Sequence, residues 1–206
     1  MPLFTINLDV RNWPCLVIGG GTIAIPKARR LLEAGAHLTM VSPYFNEELP
    51  GAILLHRPAQ LSDLDGKRLA IFGTDDKQVN RDLHAEAQRR GILSMAVDDP
   101  EAADFFSPAI HRQGDLEFAV STGGKGPAFS ARVKRLLAEI FDEAHGQALD
   151  WYGNFRKTAL EGRPTKDRIS ISRKVLDGDY AAWFREGRVA ELDEKARHIL
   201  KEWDTQ

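Results

Sequence analysis

Gly19-Gly20-Gly21-Thr22-Ile23-Ala24 closes a short apolar run, Pro14-Cys-Leu-Val-Ile-Gly, and opens a stretch with helical spacing. A buried strand, a glycine turn and a helix, in that order, are what a dinucleotide pyrophosphate requires. Gly19 permits the tight turn, and Gly21 lets the backbone approach a phosphate with no Cβ in the way. Ala24, where a third glycine often stands, is still small enough for the helix to pack closely on the strand. The phosphates would meet the free N–H groups and the positive dipole end of the new helix, around Thr22 and Ile23. Glycines also make ordinary strand-to-helix turns, so the flanking elements carry this reading.

Further candidates stand at the ends of later apolar runs. The second run ends in Val41-Ser42-Pro43-Tyr44. An acid placed there would hold a ribose diol and an arginine a 2′-phosphate, and neither is present. Ser42 could donate to a ribose oxygen and Tyr44 could cover an adenine face, with Glu47 and Glu48 slightly downstream. NAD and NADP are not separated by these residues. Thr74-Asp75-Asp76 ends the third clear run, where cofactor-contacting loops gather; the ordinary role for Asp75 or Asp76 is to cap the following helix. Asp98 follows Met95-Ala-Val97 directly, where a carboxylate could accept the proton that accompanies hydride transfer. It also reads as a plain turn residue in Asp98-Asp-Pro-Glu, and spacing does not separate it from Asp99 or Asp104.

These residues need a scaffold, and the periodicity supplies one. Ala24 to Glu33 places Ala24, Ala28, Leu31 and Leu32 on one helical face, and Gly35 stands where it would end the helix. Pro26 falls in the first turn, where its missing N–H costs little. Strands are expected at His37–Pro43, more weakly at Ile53–His56, at Leu69–Thr74 and at Leu93–Asp98, with a helix from Val79 to Arg90. Alternating strands and helices with short connections predict a parallel sheet covered on both faces. Pro100 and Pro108 bracket a segment too short for a long element. Leu116 to Thr122 alternates as a strand does and leads into Gly123-Gly-Lys-Gly-Pro127. One long helix is expected from Ala128 to about Leu149, then helices interrupted at Gly162-Arg-Pro and Asp177-Gly.

Composition sets the limits. The 206 residues carry a net charge of −2, which argues against a general nucleic-acid binder. Residues 1–124 hold a balance of −4 and residues 125–206 a balance of +2, and 156–188 alone reaches +4. Such a basic segment suits an anionic partner, although solvated helix faces also produce such counts. A single cysteine, Cys15, excludes an internal disulfide or a multi-thiolate metal site. None of the six histidines forms a pair at metal-ligand helical spacing, so no metal site is expected; His111, beside the change of substructure, is the one to test. The tryptophans at 151, 183 and 203 read as helix packing. No signal-like start and no apolar run of about 18–20 residues occurs, so the expectation is a cytoplasmic protein without a membrane segment.

Several of these stretches together resemble the precorrin-2 dehydrogenase family, including the amino-terminal half of siroheme synthase. They are Val17-Ile-Gly-Gly-Gly-Thr-Ile-Ala24, Leu31-Leu-Glu-Ala-Gly-Ala36, Val41-Ser-Pro43, Thr74-Asp-Asp76 with Asn80, Val97-Asp98 with Pro100 and Phe105, and Ala119-Val-Ser-Thr-Gly-Gly-Lys-Gly-Pro127. The resemblance implies an NAD-dependent oxidation of precorrin-2 to sirohydrochlorin, with Asp98 as the catalytic residue. In some members ferrous iron is then inserted, so Fe2+ is a further expected substrate. It also implies an α/β architecture: a Rossmann-type NAD-binding domain over 1–113, an α+β dimerisation segment over 114–149 making a homodimer, and a small helical domain over 150–206. Gly19, Gly21, Thr22, Ile23, Ser42, Pro43, Tyr44, Thr74 and Asp75 are the expected cofactor contacts. Precorrin-2 carries eight peripheral carboxylates, so Arg168 and Arg173 in the basic tail are expected to hold some of them. The chain has no stretch for the methyltransferase half of a full siroheme synthase. The alternative is a non-catalytic NAD-sensing module, against which stands Ser42-Pro43 where such modules keep an acid.

Overall fold

Alternate residues of Pro14–Ile18 (β1) point to opposite faces of a sheet, and every residue from Cys15 to Ile18 is at most 1% exposed. A strand apolar on both faces needs helices on both sides of it. The computed structural model describes residues 3–97 and 99–205 and divides into two units, Met1–Ser107 and Pro108–Gln206.

In the first unit, β1, His37–Ser42 (β2), Ile53–His56 (β3), Leu69–Phe72 (β4) and Leu93–Ala96 (β5) form one parallel sheet in the order β3-β2-β1-β4-β5. The order reverses between β1 and β4, which is where an open α/β sheet leaves its ligand crevice. Cys15 and Val17 pack with Ala24 and Ala28 of Ala24–Glu33 (α1), together with Leu38 and Met40. Leu16 and Ile18 pack on the other face with Leu83 and Ala87 of Lys77–Arg89 (α2). Burying each large apolar side chain there is worth about 1.5–3 kcal/mol.

Both helices end by the same device. Gly35 at φ +81° donates to Leu32 O at 2.8 Å, while Ala36 donates to Leu31 O at 3.0 Å. Gly91 at φ +70° and Ile92 repeat the pattern on Gln88 and Ala87. Of the two aspartates that could cap α2, Asp76 does so, its carboxylate accepting from the N–H groups of Gln78 and Val79 at 2.9 and 3.2 Å.

The second unit opens with an antiparallel hairpin of Ala109–Gln113 (β6) and Leu116–Val120 (β7). The sequence pattern does not reveal β6, because His111, Arg112 and Gln113 interrupt its apolar residues. Arg112 nevertheless pairs across the hairpin with Glu117, its register partner.

The single helix expected to Leu149 is two. Pro127–Ile140 (α3) stops at Phe141, which turns to φ −104°, ψ 92°, and Glu143–Ala159 (α4) begins after Asp142. The break has three causes. The Phe141 ring lies 4.3 Å from Phe118, and its carbonyl accepts from His111 Nε2 at 2.6 Å. Asp142 then restarts the chain beside His145, whose Nδ1 is 2.8 Å from Asp142 Oδ1, with Arg185 donating to Asp142 Oδ2 at 2.7 Å. These partners hold the Asp142 carboxyl far below its usual range.

Thr165–Val175 (α5), Ala182–Arg185 (α6) and Val189–Asp204 (α7) complete the unit. Phe155 of α4 and Leu160 at its end, Ile171 and Val175 of α5, and Ala196 and Ile199 of α7 form a common core. Trp151 and Trp203 pack against it, Trp151 also donating to Asp193 at 2.8 Å. No helix among the described residues is long and apolar enough to cross a membrane.

Candidate functional site

The turns after β1, β2 and β4 meet at the carboxyl edge of the sheet, and two absent side chains let them do so. A Cβ on Gly19, at φ +116°, would lie 2.9 Å from the carbonyl carbon of Gly73 and nearer still to its oxygen. A Cβ on Gly20 would lie 2.9 Å from Phe45 Cα and nearer still to the Tyr44 carbonyl oxygen. The same junctions are tied by backbone bonds, Gly19 N–H to Val41 O at 2.9 Å, Gly73 N–H to Ile18 O at 2.8 Å and Asn46 N–H to Gly20 O at 2.9 Å. Gly20 is thus as constrained as Gly19, a role that sequence spacing did not reveal.

Gly21 differs. Among the described residues, a Cβ there would meet no atom within 4 Å, so its missing side chain leaves open space on the outer side of the turn. The first bond of α1 runs from Ile25 N–H to Gly21 O at 3.1 Å. The N–H groups preceding it, through exposed Thr22 and Ile23, have no carbonyl four residues back to accept them. An open cradle beside the positive end of a helix fits a pyrophosphate.

After β2, Ser42 is buried and its hydroxyl donates to Tyr44 O at 2.6 Å. That proton is therefore engaged within the turn, and the hydroxyl shapes the loop. Pro43 is exposed and Tyr44 is 85% exposed, leaving its ring open to a ligand. Glu47 is paired with Arg29.

After β4, buried Asn80 grips Thr74 three ways. Its Oδ1 accepts from the Thr74 hydroxyl at 2.7 Å and from the Thr74 N–H at 3.2 Å, and its Nδ2 donates to Thr74 O at 2.9 Å. Asn80 holds the loop from one turn up α2, leaving Asp75 exposed at its tip.

Asp98 lies outside the described residues. Its neighbours are firmly held: Val97 N–H donates to Phe72 O at 2.8 Å, and Arg81 Nε donates to Asp99 Oδ2 at 2.5 Å. The Arg81 guanidinium keeps the Asp99 carboxyl below its usual range. Ser94 and Asp104 close the segment reciprocally, Ser94 N–H donating to Asp104 Oδ2 at 2.9 Å and Asp104 N–H to Ser94 O at 2.8 Å. Buried His84 holds Ser94 through Nδ1, 2.8 Å from the hydroxyl.

Arg168 and Arg173 lie on α5 in the second unit, where with Arg156 of α4 they line a groove of 640 Å³. His111 is occupied by Phe141 O, and among the described residues no three His, Cys, Asp or Glu side chains converge as a metal site.

Comparison with known proteins supplies what the geometry leaves general. Residues 6–109 match the family model described as "Putative NAD(P)-binding", and residues 113–140 match that of "Sirohaem biosynthesis protein central". The chain belongs to the putative NAD(P)-binding family. Among the relatives, siroheme synthase of Chromobacterium violaceum is 38% identical over 188 residues, covering 88% of this chain and 40% of its own. That of Nitrosomonas europaea is 32% identical over 213 residues, covering 98% and 43%. The chain thus spans about two-fifths of the length of these relatives. The solved structure of SirC, precorrin-2 dehydrogenase, superimposes with a TM-score of 0.80 at 22% identity, over 97% of this chain and all of that one. The likeness establishes the fold: a Rossmann-type sheet followed by a hairpin and a helical part. The open outer side of the glycine turn after β1 fits a nucleotide-binding role of the kind that the family's description names.

Proposed function

We propose that the protein oxidises precorrin-2 to sirohydrochlorin with NAD. The observation that carries the reading is the open cradle at Gly21 at the switch point of the sheet, in a chain that continues directly into the siroheme-specific central module. Bound there, NAD supplies the hydride acceptor. The chain's own residues do the rest. The N–H groups at the start of α1, with Gly19, Gly21, Thr22 and Ile23, hold the pyrophosphate. Ser42, Pro43 and Tyr44 bound the adenosine end, and Thr74 and Asp75 lie along the opposite wall of the crevice. Asp98 takes the proton that leaves the tetrapyrrole as its hydride departs, so two electrons and two protons are removed overall, one proton travelling with the hydride. Arg168 and Arg173 hold peripheral carboxylates.

The working molecule in this reading is a cytoplasmic homodimer. Phe129, Leu136 and Ile140 leave an apolar surface on α3, 67%, 39% and 59% exposed, for the partner. The segments 1–113, 114–149 and 150–206 act as cofactor, dimerisation and substrate parts. Fe2+ is a second substrate of the same carboxylate.

The deciding assay is anaerobic, with precorrin-2 and NAD, comparing the wild-type chain with Asp98→Ala. NADH should form with the wild type and fall at least about 100-fold in the variant. NADH formation indifferent to that substitution would refute the role of Asp98. NAD binding without turnover would instead favour a sensing module.

A further inference from the structure

Helical spacing gathers one face of α5 into a single wall. Thr165, Arg168, Ile169, Ser172, Arg173 and Leu176 recur at intervals of three and four, and all line the 640 Å³ groove. Tyr152 and Arg156, four apart on α4, form the facing wall. The volume is within the range of small-molecule sites, about 300–1,000 Å³.

The groove has two chemistries. Tyr152, half-exposed Ile169 and Leu176 offer apolar surface, and three guanidinium groups edge it against one carboxylate, Asp177. Among the described residues, Arg156, Arg168 and Arg173 are in no ion pair, whereas Arg163 between them in sequence is doubly bonded to Asp204 at 2.5 and 2.9 Å. Arg156 contacts only the Tyr152 ring, at 6.0 Å. The Ser172 hydroxyl is engaged, donating to Arg168 O at 2.6 Å, so the arginines are the groove's charged donors. Arg156 and Arg168 also border an adjoining cavity of 360 Å³ that includes Lys157. The cationic edge therefore continues past the groove.

An inorganic anion would use the arginines and leave the apolar wall uncovered; a plain hydrocarbon would do the reverse. We propose that this groove is a built site for a polycarboxylated ring. Its apolar face lies against Tyr152, Ile169 and Leu176, and neighbouring carboxylates are taken by Arg156, Arg168 and Arg173. Arg156 is thereby assigned together with the two arginines on α5. That the natural ligand is the tetrapyrrole substrate rests on the proposed function; the groove's chemistry does not.

The test uses the full chain and uroporphyrin, a stable ring with eight carboxylates, with binding followed by tryptophan fluorescence in the absence of NAD. Wild type should bind, and Arg168→Gln/Arg173→Gln should weaken binding at least about 30-fold, each lost charge-assisted contact contributing about tenfold. Arg156→Gln and Ile169→Glu should each weaken it about tenfold, with thermal midpoint and NAD affinity unchanged. Uroporphyrin binding that is absent in the wild type, or unaltered in the double variant, would overturn the site. Sulfate competing as tightly as uroporphyrin would overturn the ring component. Arginine-dependent binding in a protein that fails to oxidise precorrin-2 would leave the groove standing and remove the dehydrogenase reading.

Discussion

Gly19 and Gly73 touch backbone to backbone across the point where the sheet reverses its strand order, and the contact exists because Gly19 has no Cβ. Two residues along, a Cβ on Gly21 would meet no atom of the described residues within 4 Å. The same residue type thus serves the fold at one position and, in the proposed function, a ligand at the other.

Gly19→Ala should therefore destabilise the protein, since the new methyl meets backbone at a φ that side chains avoid. A loss of about 2–3 kcal/mol is expected, lowering the thermal midpoint by roughly 5–10 °C. Gly21→Ala should melt as wild type yet bind NAD at least about tenfold more weakly. Calorimetric melting and NAD titration of the two variants check this pair, and equal melting losses would contradict it.

Asn80→Ala removes three hydrogen bonds to Thr74 from a buried position. Leaving those groups unpaired should cost about 2–4 kcal/mol and raise KM for NAD. Asn80→Asp keeps the acceptor oxygens but replaces the Nδ2 donor with an oxygen facing the Thr74 carbonyl. It should restore little, as denaturant titration and steady-state kinetics would reveal.

Arg81→Ala frees Asp99, immediately beside the proposed catalytic carboxylate. The Arg81 side chain is half exposed, so stability should change little. The expected signature is a several-fold fall in kcat with KM for NAD unchanged. The lowered Asp99 pKa fixes the sign of the pH effect: the brace is intact above the ordinary carboxylate range and is lost as pH falls through the lowered value. The acid limb of the rate profile should move to higher pH in the variant.

Cys15 is fully buried in the middle of the sheet, and burial raises its thiol from 9 to about 11. Disulfide reagents at pH 8 should not label the folded protein, and labelling should follow unfolding in urea. A raised thiol pKa contributes stability that is complete below 9 and is lost as pH rises through 11. Stability curves between pH 8 and 11 should decline accordingly, and less so for Cys15→Ala.

The first unit was legible because its strands are continuously apolar and its helices carry their own stop signals, as at Gly35. The second was less so. The helix break at Phe141 depends on Phe118 and His111, more than twenty residues earlier, and no local propensity encodes it. Strand β6 is held by its partner, not by its own pattern. At the site, Gly21 could be read from spacing, whereas Gly20 and Asn80 act through loops that only the folded chain brings beside them. Arg156 belongs to the basic segment that the sequence marks, but only the fold places it in one groove with Arg168 and Arg173.

The inward and outward sides of the crevice turns have separate duties. Gly19, Gly20 and Asn80 bind the loops to one another, while the Tyr44 ring and Asp75 are exposed and, among the described residues, no atom lies within 4 Å of a Cβ placed on Gly21. In the proposed site the ligand-facing residues can therefore be changed one at a time without first breaking the scaffold, because structure and proposed recognition fall on different residues of the same three loops.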